Sequence, residues 1–105
     1  MSPTRREQIE TMLLQQPQDT MLRYMLAMEC LRDQDEQRAL ALFRELMAEQ
    51  YVPAYFRAAQ HLVALDEIEQ ARAVLRDGIE LARNQGNPKT AGEMSDLLVS
   101  LGRLA

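Results

Sequence analysis

The sequence predicts an all-α protein of about six helices, arranged as antiparallel helical hairpins that repeat along the chain. Three observations carry this prediction. Apolar residues recur three and four apart in six segments, and no alternating strand pattern competes with them. Shape-filling falls to Leu, Ala and 7 Met, with 4 Gly, 4 Pro and no Trp, a palette of good helix formers. The middle of the chain also matches itself after a shift of 32 residues. Ala27, Ala39, Ala41 and Arg44 fall on Ala59, Ala71, Ala73 and Arg76, while Tyr24 falls on Phe56, Leu42 on Val74, Phe43 on Leu75 and Asp35 on Glu67. A fixed period of that length, carried by helical segments, marks units that bury their apolar faces against their neighbours.

The first segment opens with Ser2-Pro3, a cap residue and a Pro whose missing N–H costs nothing there, and runs to about Gln16. Ile9, Met12 and Leu13 share its apolar face. Asp19 or Thr20 caps the second, which carries Leu22, Leu26, Cys30 and Leu31 to about Arg32. Asp33 and Glu36 have the spacing of a capping box and open the third, with Ala39, Leu42, Phe43, Leu46 and Met47 inside. Val52-Pro53 forces an extended residue and then a helix start. The fourth follows with Tyr55, Phe56, Ala59, Leu62 and Val63. Asp66 and Glu69 repeat the capping spacing before the fifth, and Gly86 stops it. Asn87-Pro88 opens the sixth, striped by Ala91, Met94, Leu97, Leu98 and Leu101. Such short breaks leave only antiparallel neighbours. The residues alone admit a helical-hairpin repeat or a plain antiparallel bundle.

A chain of 105 residues supports one ordinary domain. With 47% apolar and 27% charged residues it is globular material. The formal charge of -4 is spread as -1 over residues 1–34, -4 over 35–70 and +1 over 71–105, so no basic block exists to meet phosphates. Nucleic acid is therefore not expected as a partner. No apolar run approaches the roughly 18 residues a membrane span needs, and the start of the chain is polar, so no membrane role is expected and the cytoplasm is the default location. Cys30, the only cysteine, cannot form an internal disulfide.

At this point the residues resemble the tetratricopeptide repeat, in a small bacterial-type form. Leu26-Ala27, Cys30, Ala39 and Phe43 match one unit, preceded by Pro17 where an earlier unit would close. Tyr55, Ala58-Ala59, Leu62, Ala71 and Leu75 match a second. Arg23 stands where the pattern has a bulky aromatic residue, Ala replaces the helix Gly twice, and the closing Pro is displaced to Pro53 and Pro88. The period is 32, against about 34 in the family. The resemblance implies a right-handed superhelix in a single domain over 1–105: a half unit at 3–16, units at 20–50 and 53–85, and a capping helix at 88–103. Ala27, Ala39, Ala59 and Ala71 are then the close helix crossings. Gly78 aligns with Leu46, so packing must differ between the units.

Nothing in the sequence supports chemistry. His61 is the only histidine and reads as a helix-surface residue; Cys30 aligns with Leu62 and reads as a small core residue. Acids near helix starts are explained as caps and dipole partners. No cofactor, metal or catalytic residue is expected, and the protein is not expected to be an enzyme. In tetratricopeptide arrays the first helix of each pair lines a concave groove for a peptide or helix. The resemblance assigns that role to Met21, Tyr24, Met25, Met28 and Arg32 in one unit and to Phe56, Arg57, Gln60 and His61 in the next. Tyr24, Met28 and Arg57 stand where chaperone-binding members carry their carboxylate clamp, so that clamp is not preserved. The expected function is a protein-interaction adaptor or scaffold with an unidentified protein or peptide partner. Self-association, giving a homodimer, is the alternative reading, and a Met-rich stripe covered by the terminal helices is the alternative fate of this wall.

Overall fold

A computed structural model describes residues 2–102. It contains α1 (Arg5–Gln15), α2 (Thr20–Arg32), α3 (Glu36–Ala48), α4 (Val52–Ala64), α5 (Ile68–Asn84) and α6 (Pro88–Gly102), with no strand among the described residues. The helices gather into two compact units, Met1–Tyr51 and Val52–Ala105.

In the first unit α2 packs against both α1 and α3. Its core is Leu22, Leu26, Ala27 and Cys30 with Ala39, Leu42, Phe43 and Leu46. Helix α1 contributes one fully buried side chain, Ile9, and is otherwise tied down by charge. Arg5 pairs with Glu29 at 2.9 Å, and Arg6 reaches Asp35 at 2.9 Å and Asp33 at 3.4 Å. In the second unit α5 packs against both α4 and α6. Ala54, Ala58, Ala59 and Leu62 face Ala71, Leu75, Ile79 and Ala82, with Ala91, Met94 and Leu101 closing the core. Arg72 donates to the carbonyl of Leu101 at 2.9 Å, satisfying an acceptor that the end of α6 leaves without an intrahelical donor. Ala27, Ala39, Ala59 and Ala71 are each fully buried, as crossings that admit no larger side chain require.

Three expected caps move by one or two residues. Helix α1 is capped by Thr4, not Ser2, in a capping box with Glu7. Helix α3 is capped by Asp35, whose carboxylate accepts from the Arg38 N–H at 3.4 Å, not by Asp33. Helix α5 begins after Glu67, which makes no side-chain cap, rather than at Asp66. The cause is the way the preceding helices stop. The Gln34 N–H bonds the Leu31 carbonyl and the Asp35 N–H the Cys30 carbonyl, with Gln34 left-handed at φ 63°. The same paired bonds recur at Gln50–Tyr51, Asp66–Glu67 and Gly86–Asn87, with φ of 62°, 62° and 71° at the first residue of each pair. This Schellman closure uses up the residue after the helix and leaves the next residue to begin the following one. Asp19 and Asn87 cap α2 and α6 through the N–H groups of Leu22 and Thr90.

Candidate partner-binding faces

Helix α2 has two unlike sides. One is core. The other carries Met21, Tyr24, Met25, Met28 and Arg32 at spacings of three and four. Met21 and Arg32 are exposed there, while Tyr24, Met25 and Met28 are half-buried. Arg32 approaches Glu29 at 3.9 Å, and Glu29 is buried under its pair with Arg5. Tyr24 is not a free side chain. Its ring stands edge-on to Phe43 at 6.3 Å and to Tyr51 at 5.5 Å, and burial pushes the Tyr51 phenol above its ordinary pKa. On α4, Arg57 and Gln60 are exposed and share a 3.3 Å hydrogen bond, while Phe56 and His61 are half-buried. The expectation of a surface His61 is corrected: its Nε2 is buried and has no hydrogen-bond partner among the described residues.

The position 32 residues apart in each hairpin that faces away from this side is filled in two ways. In the first unit it is Arg23, only 4% exposed. Its guanidinium forks onto both carboxylate oxygens of Glu49, donates to the Gln18 carbonyl at 3.0 Å, and lies 3.8 Å from Glu45. This pairing holds the Glu49 carboxyl below its ordinary pKa. In the second unit it is Tyr55, whose Cβ lies so close to Gly78 that a Cβ added there would meet it at 2.8 Å. Beside Arg23 an open groove of about 350 Å3 runs between α1 and α3, lined by Leu13, Leu14, Pro17, Leu26 and Leu42 with charged side chains on its rim.

Among the described residues no group of three His, Cys, Asp or Glu side chains is arranged to hold a metal, and no helix is long and apolar enough to cross a membrane. Cys30 is a free thiol, fully buried, and desolvation pushes its pKa up.

No protein-family model and no curated protein matches the sequence. Solved structures do. The solution structure of a tetratricopeptide repeat domain protein from Salinibacter ruber aligns with a TM-score of 0.80 and 35% identity, covering 85% of this chain and 92% of that one. A crystal structure of a tetratricopeptide repeat domain protein from the same organism aligns with a TM-score of 0.78 and 34% identity, covering 84% of this chain and all of that one. The chain belongs to the tetratricopeptide repeat family. Its helix pairs α2–α3 and α4–α5 are tetratricopeptide units in which Arg23 and Tyr55 occupy the bulky position and Ala27 and Ala59 the helix glycine. The sequence gave no warning of Tyr51, which lies in a connection, or of the groove beside Arg23. A buried Arg paired with a residue 26 positions away leaves no periodic mark.

Proposed function

We propose that this tetratricopeptide repeat protein is a non-enzymatic adaptor. It receives an extended peptide or a helix of a protein partner on the outer faces of α2 and α4, through Met21, Tyr24, Met25, Met28 and Arg32 and through Phe56, Arg57, Gln60 and His61. The observation that carries the reading is on α2. Met21, Tyr24, Met25 and Met28 follow one another along one side and stay outside the core, while Leu22, Leu26, Ala27 and Cys30 are buried. Apolar side chains left accessible at helical spacing are suited to a partner's apolar groups, and Met repacks readily around different ones. Aromatic and Arg anchors such as Tyr24 and Arg57 are the side chains that most often dominate an interface. The free, buried thiol suits a reducing compartment, which assigns the protein to the cytoplasm.

Photoreactive residues placed at positions 21 and 57 test this in extracts of the native cell. Both should capture the same protein, and the same residue at exposed Arg76 on α5 should not. Met21→Asp and Arg57→Glu should each weaken that complex by on the order of 1–3 kcal/mol. Capture at position 76 alone, with both substitutions silent, would overturn the reading. Met21 and Arg57 are better probes than Tyr24, because Tyr24→Ala also removes contacts with Phe43 and Tyr51.

A further inference from the structure

Leu14, near the end of α1, is 81% exposed, and the groove it helps to line is about 350 Å3 in volume with Leu26 and Leu42 at its base. A protruding leucine and a leucine-lined recess therefore lie in one patch. The two walls carry unlike charges. Glu10 stands on the α1 wall, where Arg6 takes its Oε1 at 2.9 Å. Arg38 stands on the α3 wall and its guanidinium makes no ion pair or hydrogen bond among the described residues. The other two charges of the lining are committed to each other and to Glu49: Arg23 is held by Glu49 and lies 3.8 Å from Glu45. What is left is an apolar knob, an apolar recess, an acid on one side and a base on the other.

A patch that contains both halves of its own complement is the requirement for an isologous interface, in which each contact occurs twice about a two-fold axis. We propose that this face of the first unit is a self-association surface for a second copy of the chain. Leu14 of one copy enters the groove of the other, and Glu10 of each faces the other's Arg38. The surface is separate from the α2 face assigned to the partner: Leu14, Glu10 and Arg38 belong to α1 and α3. Binding of a partner and self-association are then compatible.

Sedimentation of the full chain over a series from low micromolar to near-millimolar concentration tests the proposal. The wild type should move from monomer to dimer across that series. Leu14→Asp should weaken the dimer by about tenfold or more, the scale expected for loss of a central anchor, with an unchanged circular dichroism spectrum because Leu14 is not in the core. Glu10→Arg and Arg38→Glu should each weaken it, and the two together should restore it. Met21→Asp should leave it unchanged. A chain that stays monomeric at every concentration overturns the proposal. So does a dimer insensitive to Leu14→Asp, a double charge exchange no better than either single one, or a dimer lost on Met21→Asp.

Discussion

The two hairpins α2–α3 and α4–α5 solve one packing problem with different side chains. In the first, the bulky position is Arg23 and the residue 32 beyond Tyr55's partner Gly78 is matched by Leu46, fully buried. In the second, an aromatic ring sits on a glycine. The first hairpin keeps a large aliphatic set (Leu26, Phe43, Leu46) and places a cation at the edge, stabilised by a fork onto Glu49. The second has Ala58, Leu75 and Gly78 at those places, so α5 comes close enough for Tyr55 and Met94 to close over the glycine. Helix α5 is also longer, 17 residues against 13 for α3, and its added turn carries Ala82 into contact distance of the core that α6 completes. A repeat thus conserves where bulk is needed and leaves open which side chain supplies it. Where the bulk is a guanidinium instead of a ring, a groove remains beside it.

The largest effect that sharpens this comparison is expected at Arg23. Arg23→Ala removes charge-assisted hydrogen bonds and the packing of the buried aliphatic stem, and should destabilise the protein by about 2–3 kcal/mol in chemical unfolding. A loss no greater than that of an exposed arginine such as Arg76 would break the comparison. Gly78→Ala follows. It gains helix propensity of about 1 kcal/mol, yet its Cβ would stand 2.8 Å from the Tyr55 Cβ and from the Met94 sulfur. Overpacking outweighs the gain, and a net loss of roughly 1–2 kcal/mol is expected. A stabilised variant would show that Tyr55 and α5 separate without cost.

Smaller effects come from the helix ends. Gln34, Gln50 and Asp66 adopt the left-handed conformation that only Gly86 adopts without strain. Gln34→Gly and Gln50→Gly should therefore each raise stability, by about 0.5–1 kcal/mol, and Gly86→Ala should lower it by a similar amount. Thermal melts distinguish these directions readily.

The smallest effect is expected in acid. Because Arg23 holds the Glu49 carboxyl below its ordinary value of 4.5, the folded protein takes up this proton less readily than the unfolded chain. The contribution is complete above pH 4.5 and is lost as the pH falls through the lower folded value. Asp35, held down by Arg6, adds to the same slope. Glu49→Gln should be less stable than wild type at neutral pH and lose less of its stability below about pH 4.5. Parallel pH curves would remove Glu49 from the account.

Helix number, pairing and the buried alanines were legible in the sequence because they obey a period. Ala27 and Ala59, or Ala39 and Ala71, are each forced by the same close crossing. Helix starts were less legible for a physical reason: Asp33, Asp35 and Glu36 all suit a cap, and the choice falls to the left-handed turn at Gln34, which no glycine announces. The wall of α2 was legible as a stripe, but its partial burial was not. Tyr24 is held by Tyr51, a residue outside any helix and outside the repeat pattern. The buried Nε2 of His61 was likewise invisible, since helical spacing alone put that ring at the surface.

The account's central claim is that residues obeying the 32-residue period build the fold while the sides of α2 and α4 turned from the core are left for a partner. Amide hydrogen exchange of the protein, free and in complex with the protein captured through positions 21 and 57, tests it most directly. Added protection should be confined to Thr20–Arg32 and Val52–Ala64. Protection gained along α3 or α5, with α2 and α4 unchanged, would contradict it.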